Sequence, residues 1–230
     1  MLIKFIKYIY QFNKYRRNND NPNFVVSFEY LYPRLADQTA ITPIDPTYFF
    51  QDTWFANRIL VNKPRRHYDI GSSGMTIGII SQFVPSTMID IRRIGLHIPN
   101  FSFLEGSILH LPLKTDSIES LSSLCVLEHI GLGRYGDPID PWGSEKAIKE
   151  LMRVLKGNGN LFCSVPVDRE CRIYFNAHRA FTREYIVKLF DGLELIEEKY
   201  IYGIKTFDEY DSSKGFGTGL YHFRKVIDEN

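Results

Sequence analysis

The sequence predicts an α/β protein on a mostly parallel sheet, because short apolar strands alternate with amphipathic helices, a glycine-bearing turn follows the first strand, and a carboxylate ends the second. With 230 residues, 44% of them apolar, the chain is long enough for one sizeable core and an extension. Its net charge of +1 gives no general argument for nucleic acid. Cys125, Cys163 and Cys171 show neither CxxC nor a metal-type spacing with histidine. No metal site is expected, and reduced thiols in a cytoplasmic setting are the simplest reading.

The opening stretch, MLIKFIKYIYQFNKYRR, places Leu2, Phe5, Ile6 and Ile9 on one helical face and Lys4, Lys7, Gln11 and Lys14 on another. Lys4, Lys7, Lys14, Arg16 and Arg17 make it basic, with no acid among them. The lysines break the apolar run well short of the roughly 20 residues a membrane span needs, and no small-residue cleavage site follows. Such a helix fits either packing on the domain or a protein partner, or lying peripherally on a membrane surface. Pro22, Pro33, Pro43 and Pro46 make the next segment an irregular lead-in. A helix from about Pro46 to Val61 then offers Tyr48, Phe49, Trp54, Phe55, Ile59 and Leu60 for burial. Residues 1–65 are thus expected to form an extension packing on an α/β domain at 66–230.

Within that domain the pattern predicts seven strands, at 67–70, 86–91, 101–106, 117–126, 159–167, 193–202 and 220–226. Helices are expected at 75–83, 144–156 and 182–190, the last capped by Thr182 with Glu184 in its first turn. The last two strands, joined by a loop, would pair antiparallel at one edge.

In an open α/β sheet ligands bind beyond the carboxyl ends of the strands, which directs attention to HYDIGSSGMT at 67–76. Gly71 and Gly74 allow close backbone approach, and Ser72, Ser73 and Thr76 bring hydroxyls to a helix N-terminus. Asp90, nineteen residues after Gly71, is placed to accept hydrogen bonds from both hydroxyls of a ribose. These features alone fit NAD as well as other adenosine cofactors.

Downstream, FLEGSILHLPLKTDSIESLSSLCVLEHIG and AIKELMRVLKGNGNLFCSVPV follow in an order that resembles class I S-adenosylmethionine-dependent methyltransferases, from about His67 to at least Phe190. The resemblance implies a Rossmann-like methyltransferase fold and S-adenosylmethionine as cofactor. It assigns Asp69, Gly71, Ser72, Ser73 and Gly74 to the loop around the methionine end, Asp90 to the ribose, and Glu105 to Leu109, Ser107 and Ile108 among them, to the adenine. It also puts LCVLEHIG beside the methyl group and gives Gly157 and Gly159 the turn before the fifth strand. Closer still, DIGSS, IDIRR, VLEHIGLGRYGDPIDPWG and SVPV followed by FNAHRAF are similar to a methyltransferase-like family catalogued as a domain of unknown function. Many bacterial members accompany surface-polysaccharide genes, which implies a sugar or glycan precursor as substrate. Two positions depart from the superfamily pattern: Ser73 stands for a second glycine, and Ser107 for an aspartate that accepts from adenine.

Methyl transfer to a neutral hydroxyl needs somewhere for its proton to go. Glu128 and His129, at the end of the fourth strand, are the catalytic candidates, His129 first because imidazole accepts a proton near neutral pH. The alternative is that both hydrogen-bond the loop into shape. The following GLGRYGDPIDPWGS suits an ordered excursion over the pocket, in which Arg134, Tyr135, Asp137 and Trp142 would bind the substrate. Arg134 would pair with a phosphate or carboxylate there, or instead brace the loop through Asp137 or Asp140. His178 and Arg179 are expected at the same mouth, touching substrate or shaping a capped helix. Two rival readings stay open: a catalytically silent methyltransferase-fold protein that binds a biosynthetic partner, and, less favoured, an NAD-dependent sugar-modifying oxidoreductase, for which the GxGxxG spacing is missing.

Overall fold

The computed structural model describes residues 1–227, and the chain divides into two compact units, Met1–Ile44 and Asp45–Asn230. In the first unit α1 spans Leu2–Asn18 and the rest is irregular apart from a 3-10 turn at Phe28–Tyr30. The Phe28 ring lies 4.8 Å from Phe12 and under the Arg16 guanidinium.

The second unit opens with α2, Pro46–Asn62. The Asp45 carboxylate caps it by accepting from Thr47 N–H at 2.9 Å, Pro46 occupies the first turn, and Lys63 ends it in the left-handed region. Trp54, Phe55 and Ile59 are buried against one sheet face together with Ile77, Met88 and Phe162. Tyr48, Phe49 and Leu60, expected to be buried as well, stay exposed. Because α2 has no core of its own and completes the sheet's, the compact unit begins at Asp45 and not at the expected boundary of 65/66. Phe55→Ala is expected to cost about 3–5 kcal/mol, measurable by urea denaturation, since the side chain is wholly enclosed.

The sheet runs β3-β2-β1-β4-β5-β10-β8-β9. Its parallel part comprises β1 (His67–Ile70), β2 (Ser86–Asp90), β3 (Phe101–Glu105), β4 (Ile118–Leu124) and β5 (Leu155–Val167). Antiparallel pairing then brings in β10 (Gly217–Lys225), β8 (Leu193–Tyr202) and a short β9 (Lys205–Phe207). All seven expected strands form; β9 is an eighth, folding back on β8 through Gly203. The helices α3 (Gly74–Ile80), α4 (Gly143–Val154) and α5 (Arg183–Leu189) appear where periodicity places them, and Thr182 caps α5. The opposite face buries Leu151, Leu161, Ile186, Phe190 and Phe223. Because the parallel part is covered on both sides, β2 is buried along its whole length, Ser86, Thr87 and Asp90 included.

Two local outcomes differ from expectation. No separate turn stands between α4 and β5: the strand starts at Leu155 and absorbs Gly157–Gly159 as a register shift, with Asn158 at φ +59°. After β5 the chain forms a hairpin of β6 (Arg172–Tyr174) and β7 (His178–Ala180), where a capped helix or a loop wall was expected. Sequence order reverses on either side of β1, between β2 and β4, so the strand tips there open into a crevice.

Candidate functional site

The chain leaves β1 through Gly71 at φ +73°, where a β-carbon would also stand 3.1 Å from Val126, so only glycine suits the turn. Asp69 ties this turn down from beneath. Its buried carboxylate accepts from Ser72 N–H at 3.0 Å, from Ser72 Oγ at 2.6 Å, and from Ser122 Oγ. Ser72 Oγ in turn accepts from Leu124 N–H at 2.8 Å. Burial pushes the Asp69 carboxyl up to about 6, against the pull of these hydrogen bonds. Asp69 and the Ser72 hydroxyl, expected to face the cofactor, are therefore spent on the protein itself and act as braces.

Ser73 has φ −68° and ψ 120°, an ordinary extended conformation. The loop therefore needs no glycine there, and the serine departure leaves its shape intact. Gly74 follows at the start of α3, where a β-carbon would come within 2.8 Å of Ile94 Cδ1.

Across the tips of β1 and β2 lies a cleft of about 640 Å³ counted with its open mouth. Ile70 and Ile89 contribute to its apolar lining, and Ser107 and Ile108 reach it from the turn after β3. Asp90 enters from the end of β2, only 8% exposed. Its Oδ1 accepts from Arg92 N–H at 2.7 Å and from Arg92 Nε at 3.4 Å, and Oδ2 from Arg92 Nη2 at 3.4 Å, so Oδ2 keeps a free acceptor position and the two long guanidinium contacts are the ones a ligand would displace for a second. Ser107 Oγ accepts from Leu109 N–H at 3.2 Å, so its hydroxyl hydrogen remains to be donated. The resemblance-based assignments of Gly71, Asp90, Ser107 and Ile108 thus converge on one space.

A second cleft adjoins the first, bounded by the tips of β4, β5 and β10 and by the start of α2, and it shares Gly71, Arg92, Cys125, His129 and Tyr135 with the first. Ser73 also lines it. Glu128 and His129 come to it on a 3-10 turn, Leu127–His129, directly beyond β4. Glu128 is 2% exposed and its Oε2 has no hydrogen-bond partner among the described residues. Burial pushes its carboxyl up to about 8, although its own amide and Arg134 pull the other way. His129 Nδ1 lies 2.7 Å from Ala177 O, which only accepts, and 3.3 Å from Arg134 Nη1, which only donates; the shorter contact puts the hydrogen on Nδ1 and makes Nε2 the acceptor nitrogen. Burial lowers this imidazole to about 4 despite the Ala177 bond, with Arg134 and His178 adding to the shift.

The loop after this turn divides into contacts and braces. The Asp137 carboxylate accepts from the N–H groups of Gly131 at 2.6 Å, Tyr135 at 3.2 Å and Gly133 at 3.3 Å. Burial would push it up, but these amides outweigh burial and hold it below the usual carboxylate range. It lines the first cleft while its oxygens are committed to the loop. Gly131, at φ +85°, passes so near Asp140 that a β-carbon would fall 2.0 Å from its carbonyl oxygen. Arg134 pairs with neither Asp137 nor Asp140. Its Nη1 donates to Ala177 O at 2.9 Å and its guanidinium lies 5.1 Å from the Tyr135 ring centre, with Arg92 4.5 Å from the same ring. Asp140 accepts from Lys146 Nζ instead, at 2.6 Å.

Two expected substrate contacts lie elsewhere. Trp142 is 63% exposed at the start of α4 and lines neither cleft, because its loop turns outward after Asp140. Arg179 is 6% exposed and serves as a strut: Nη1 donates to Ile130 O at 2.6 Å and Nη2 to Asp140 O at 3.3 Å. Trp142→Ala is expected to leave stability within about 0.5 kcal/mol and cofactor binding unchanged. Arg179→Ala, which orphans buried carbonyls, should cost about 1–3 kcal/mol in the same denaturation assay. His178 does line the second cleft, with its ring 5.6 Å from Phe216.

Arg92, Tyr48, Phe216 and Cys125 line the clefts without having been singled out in the sequence. Arg92 had a signal, lying two residues past Asp90 in IDIRR; Tyr48 was hidden in an aromatic stripe that reads as core. The Cys125 backbone takes φ +52° at the end of β4, and its thiol donates to Gln51 Oε1 at 3.0 Å. Burial raises that thiol well above its ordinary value, so it offers no thiolate.

A family model described as "Caenorhabditis protein of unknown function, DUF268" matches residues 109–209. No curated protein matches the sequence. Among solved structures, the [4+2]-cyclase SpnF is similar over 76% of this chain and 80% of its own, at 16% identity and a TM-score of 0.58. The 1,6-didemethyltoxoflavin-N1-methyltransferase of Burkholderia thailandensis, solved with S-adenosylhomocysteine, covers 79% of this chain and 84% of its own at 15% identity and a TM-score of 0.55. A SAM-dependent methyltransferase of Thermotoga maritima does so over 78% and 91%, at 19% identity and a TM-score of 0.52. At these identities the likeness is one of architecture, and the architecture of this chain is the Rossmann-like methyltransferase fold.

Proposed function

We propose that the protein is an S-adenosylmethionine-dependent methyltransferase acting on a hydroxyl of a sugar or glycan precursor. One observation carries the cofactor part: a glycine turn and a carboxylate, Gly71 and Asp90, stand at the tips of two adjacent parallel strands on one apolar cleft. The residues present fit the group. Gly71 and Ser73 would accommodate its amino-acid end, Asp90 its ribose hydroxyls, and Ser107 and Ile108 its adenine. Bound S-adenosylmethionine supplies a methyl group on a sulfonium, whose carbon–sulfur electrons leave with sulfur as the acceptor oxygen attaches.

The chain's own task is then alignment, which can contribute about 7 kcal/mol or more. His129 takes the hydroxyl proton at Nε2, the nitrogen left free by the Nδ1–H bond to Ala177 O. Its depressed basicity keeps it neutral across the physiological range, ready to accept. Glu128, held in its protonated form below about pH 8, adds no negative charge to the acceptor cleft.

The sugar assignment rests on the resemblance of DIGSS, IDIRR and VLEHIGLGRYGDPIDPWG to families found beside polysaccharide genes, and a cytoplasmic setting would supply both cofactor and activated sugar. Among the described residues no helix is long and apolar enough to cross a membrane. The amphipathic α1 suits contact with a protein partner or a membrane surface. A second reading, a protein that keeps the fold without methyl transfer, is favoured by the Arg92 guanidinium resting on Asp90. SpnF, named as a cyclase, shows that the architecture hosts other chemistry.

Calorimetric titration with S-adenosylmethionine, S-adenosylhomocysteine and NAD separates these readings. Binding of the sulfur compounds supports methyl transfer, binding of neither supports the silent protein, and selective NAD binding supports an oxidoreductase. Incubation with nucleotide sugars and lipid-linked saccharides, followed by mass spectrometry for a gain of one methylene, then identifies the acceptor.

A further inference from the structure

The second cleft has an unusual balance of charge. Arg134 stands exposed at its edge and, among the described residues, has no carboxylate partner. Its Nη1 is held by Ala177 O and lies 3.3 Å from His129 Nδ1, and the guanidinium lies beside the Tyr135 ring, so Nε and Nη2 remain unengaged among the described residues. His178 faces the same space. Of the two acidic residues that line it, Asp45 is occupied in capping α2 and Glu128 is driven toward its neutral form by burial. The positive end of the seventeen-residue α2 lies at this cleft too, where it offsets the Asp45 carboxylate that caps it. Deeper in, among the described residues, Glu128 Oε2 has no hydrogen-bond partner and His129 Nε2, 3.6 Å from Glu128 Oε1, accepts no hydrogen bond. A cleft that is cationic at its rim and neutral but polar at its base suits a molecule with an oxyanion at one end and a hydroxyl at the other.

We propose that the acceptor carries an oxyanion, a phosphate or carboxylate, gripped by Arg134 at the rim, while its hydroxyl lies against Glu128 and His129 below. This deepens the methyl-transfer reading and rests on it. A sugar phosphate or nucleoside-diphosphate sugar satisfies both ends, as does a uronic acid. An uncharged sugar satisfies only one.

The test is calorimetric titration of the full chain with inorganic pyrophosphate, glucose 1-phosphate, glucuronate and glucose, for the natural protein and for Arg134→Ala and Arg134→Lys. Arg134 is exposed, so both variants should fold, as circular dichroism will show. At least one oxyanion is expected to bind at millimolar concentration while glucose does not. Arg134→Ala should weaken it about tenfold or more, equivalent to about 1.4 kcal/mol. Arg134→Lys should recover part of the loss, and affinity for S-adenosylhomocysteine should not change. Tighter binding of glucose 1-phosphate than of glucuronate assigns the handle to phosphate, and the reverse assigns it to carboxylate. No oxyanion binding to the natural protein, or equal binding to Arg134→Ala, overturns the proposal. Oxyanion binding without any S-adenosylhomocysteine binding leaves the anion site standing and removes the methyl-transfer reading instead.

Discussion

Asp90→Ala is expected to weaken S-adenosylhomocysteine binding about 100-fold. The carboxylate would accept two hydrogen bonds from the ribose hydroxyls, each a charge-assisted bond worth about 1.5–3 kcal/mol. Its loss also frees the Arg92 guanidinium, now 3.4 Å away, to swing into the same cleft. Asp90→Asn keeps the shape and one acceptor oxygen, so it should fall between the two. Both substitutions sit at a strand tip, and the fold should survive them, which unfolding curves will verify. Equal affinity in all three proteins would show that the ribose is not held there.

Glu128→Gln should change how stability depends on pH. Burial raises the Glu128 carboxyl from 4.5 to about 8 in the folded protein, so between those values the folded state binds a proton that the unfolded chain has released. Stability therefore falls as pH rises through that window, by at most about 1.4 kcal/mol per pH unit. Glutamine has nothing to release. The variant should match the natural protein near pH 4.5 and become more stable than it, by about 2 kcal/mol or more, at pH 8. His67 acts in the opposite sense. It is buried between Ser120 Oγ and Ser122 Oγ, and burial lowers it to about 3. As pH falls from 6.5 toward 3, the unfolded chain gains a proton that the folded state refuses, and stability is lost on the acid side. His222, lowered to about 4 chiefly by burial, contributes likewise. The natural protein should be most stable near pH 6, and in Glu128→Gln the alkaline limb of that curve should flatten. A gap that does not widen with pH would mean that Glu128 stays ionised on folding.

Periodicity made the strands and helices of the α/β core legible, because burial on both faces of a parallel sheet favours apolar runs such as the second half of β5, Leu161–Val167. It did not reveal β6, β7 or β9, which are three residues each and hold their places through pairing, not pattern. It placed the helix before β1 in an extension packing on the domain, but could not show which of its aromatic residues the sheet covers, since an aromatic stripe looks the same whatever it packs against. In the site, Gly71 and Asp90 were readable from spacing alone. Asp69 was not: a carboxylate at a strand end can face a ligand or the turn above it, and the outcome here depends on Ser72 and on Ser122, some fifty residues away in sequence. Arg134 shows the same limit, because the natural candidates for its partner were the acids in its own loop, and the structure sends it to a carbonyl on the hairpin.

Arg179 bonds to Ile130 and Asp140, while Arg134 and His129 both reach Ala177, so hairpin and loop are stitched together at three points. They make a single jaw. Whatever admits a bulky acceptor has to tilt that jaw as one piece or yield on the facing side, where Tyr48 stands at the head of α2.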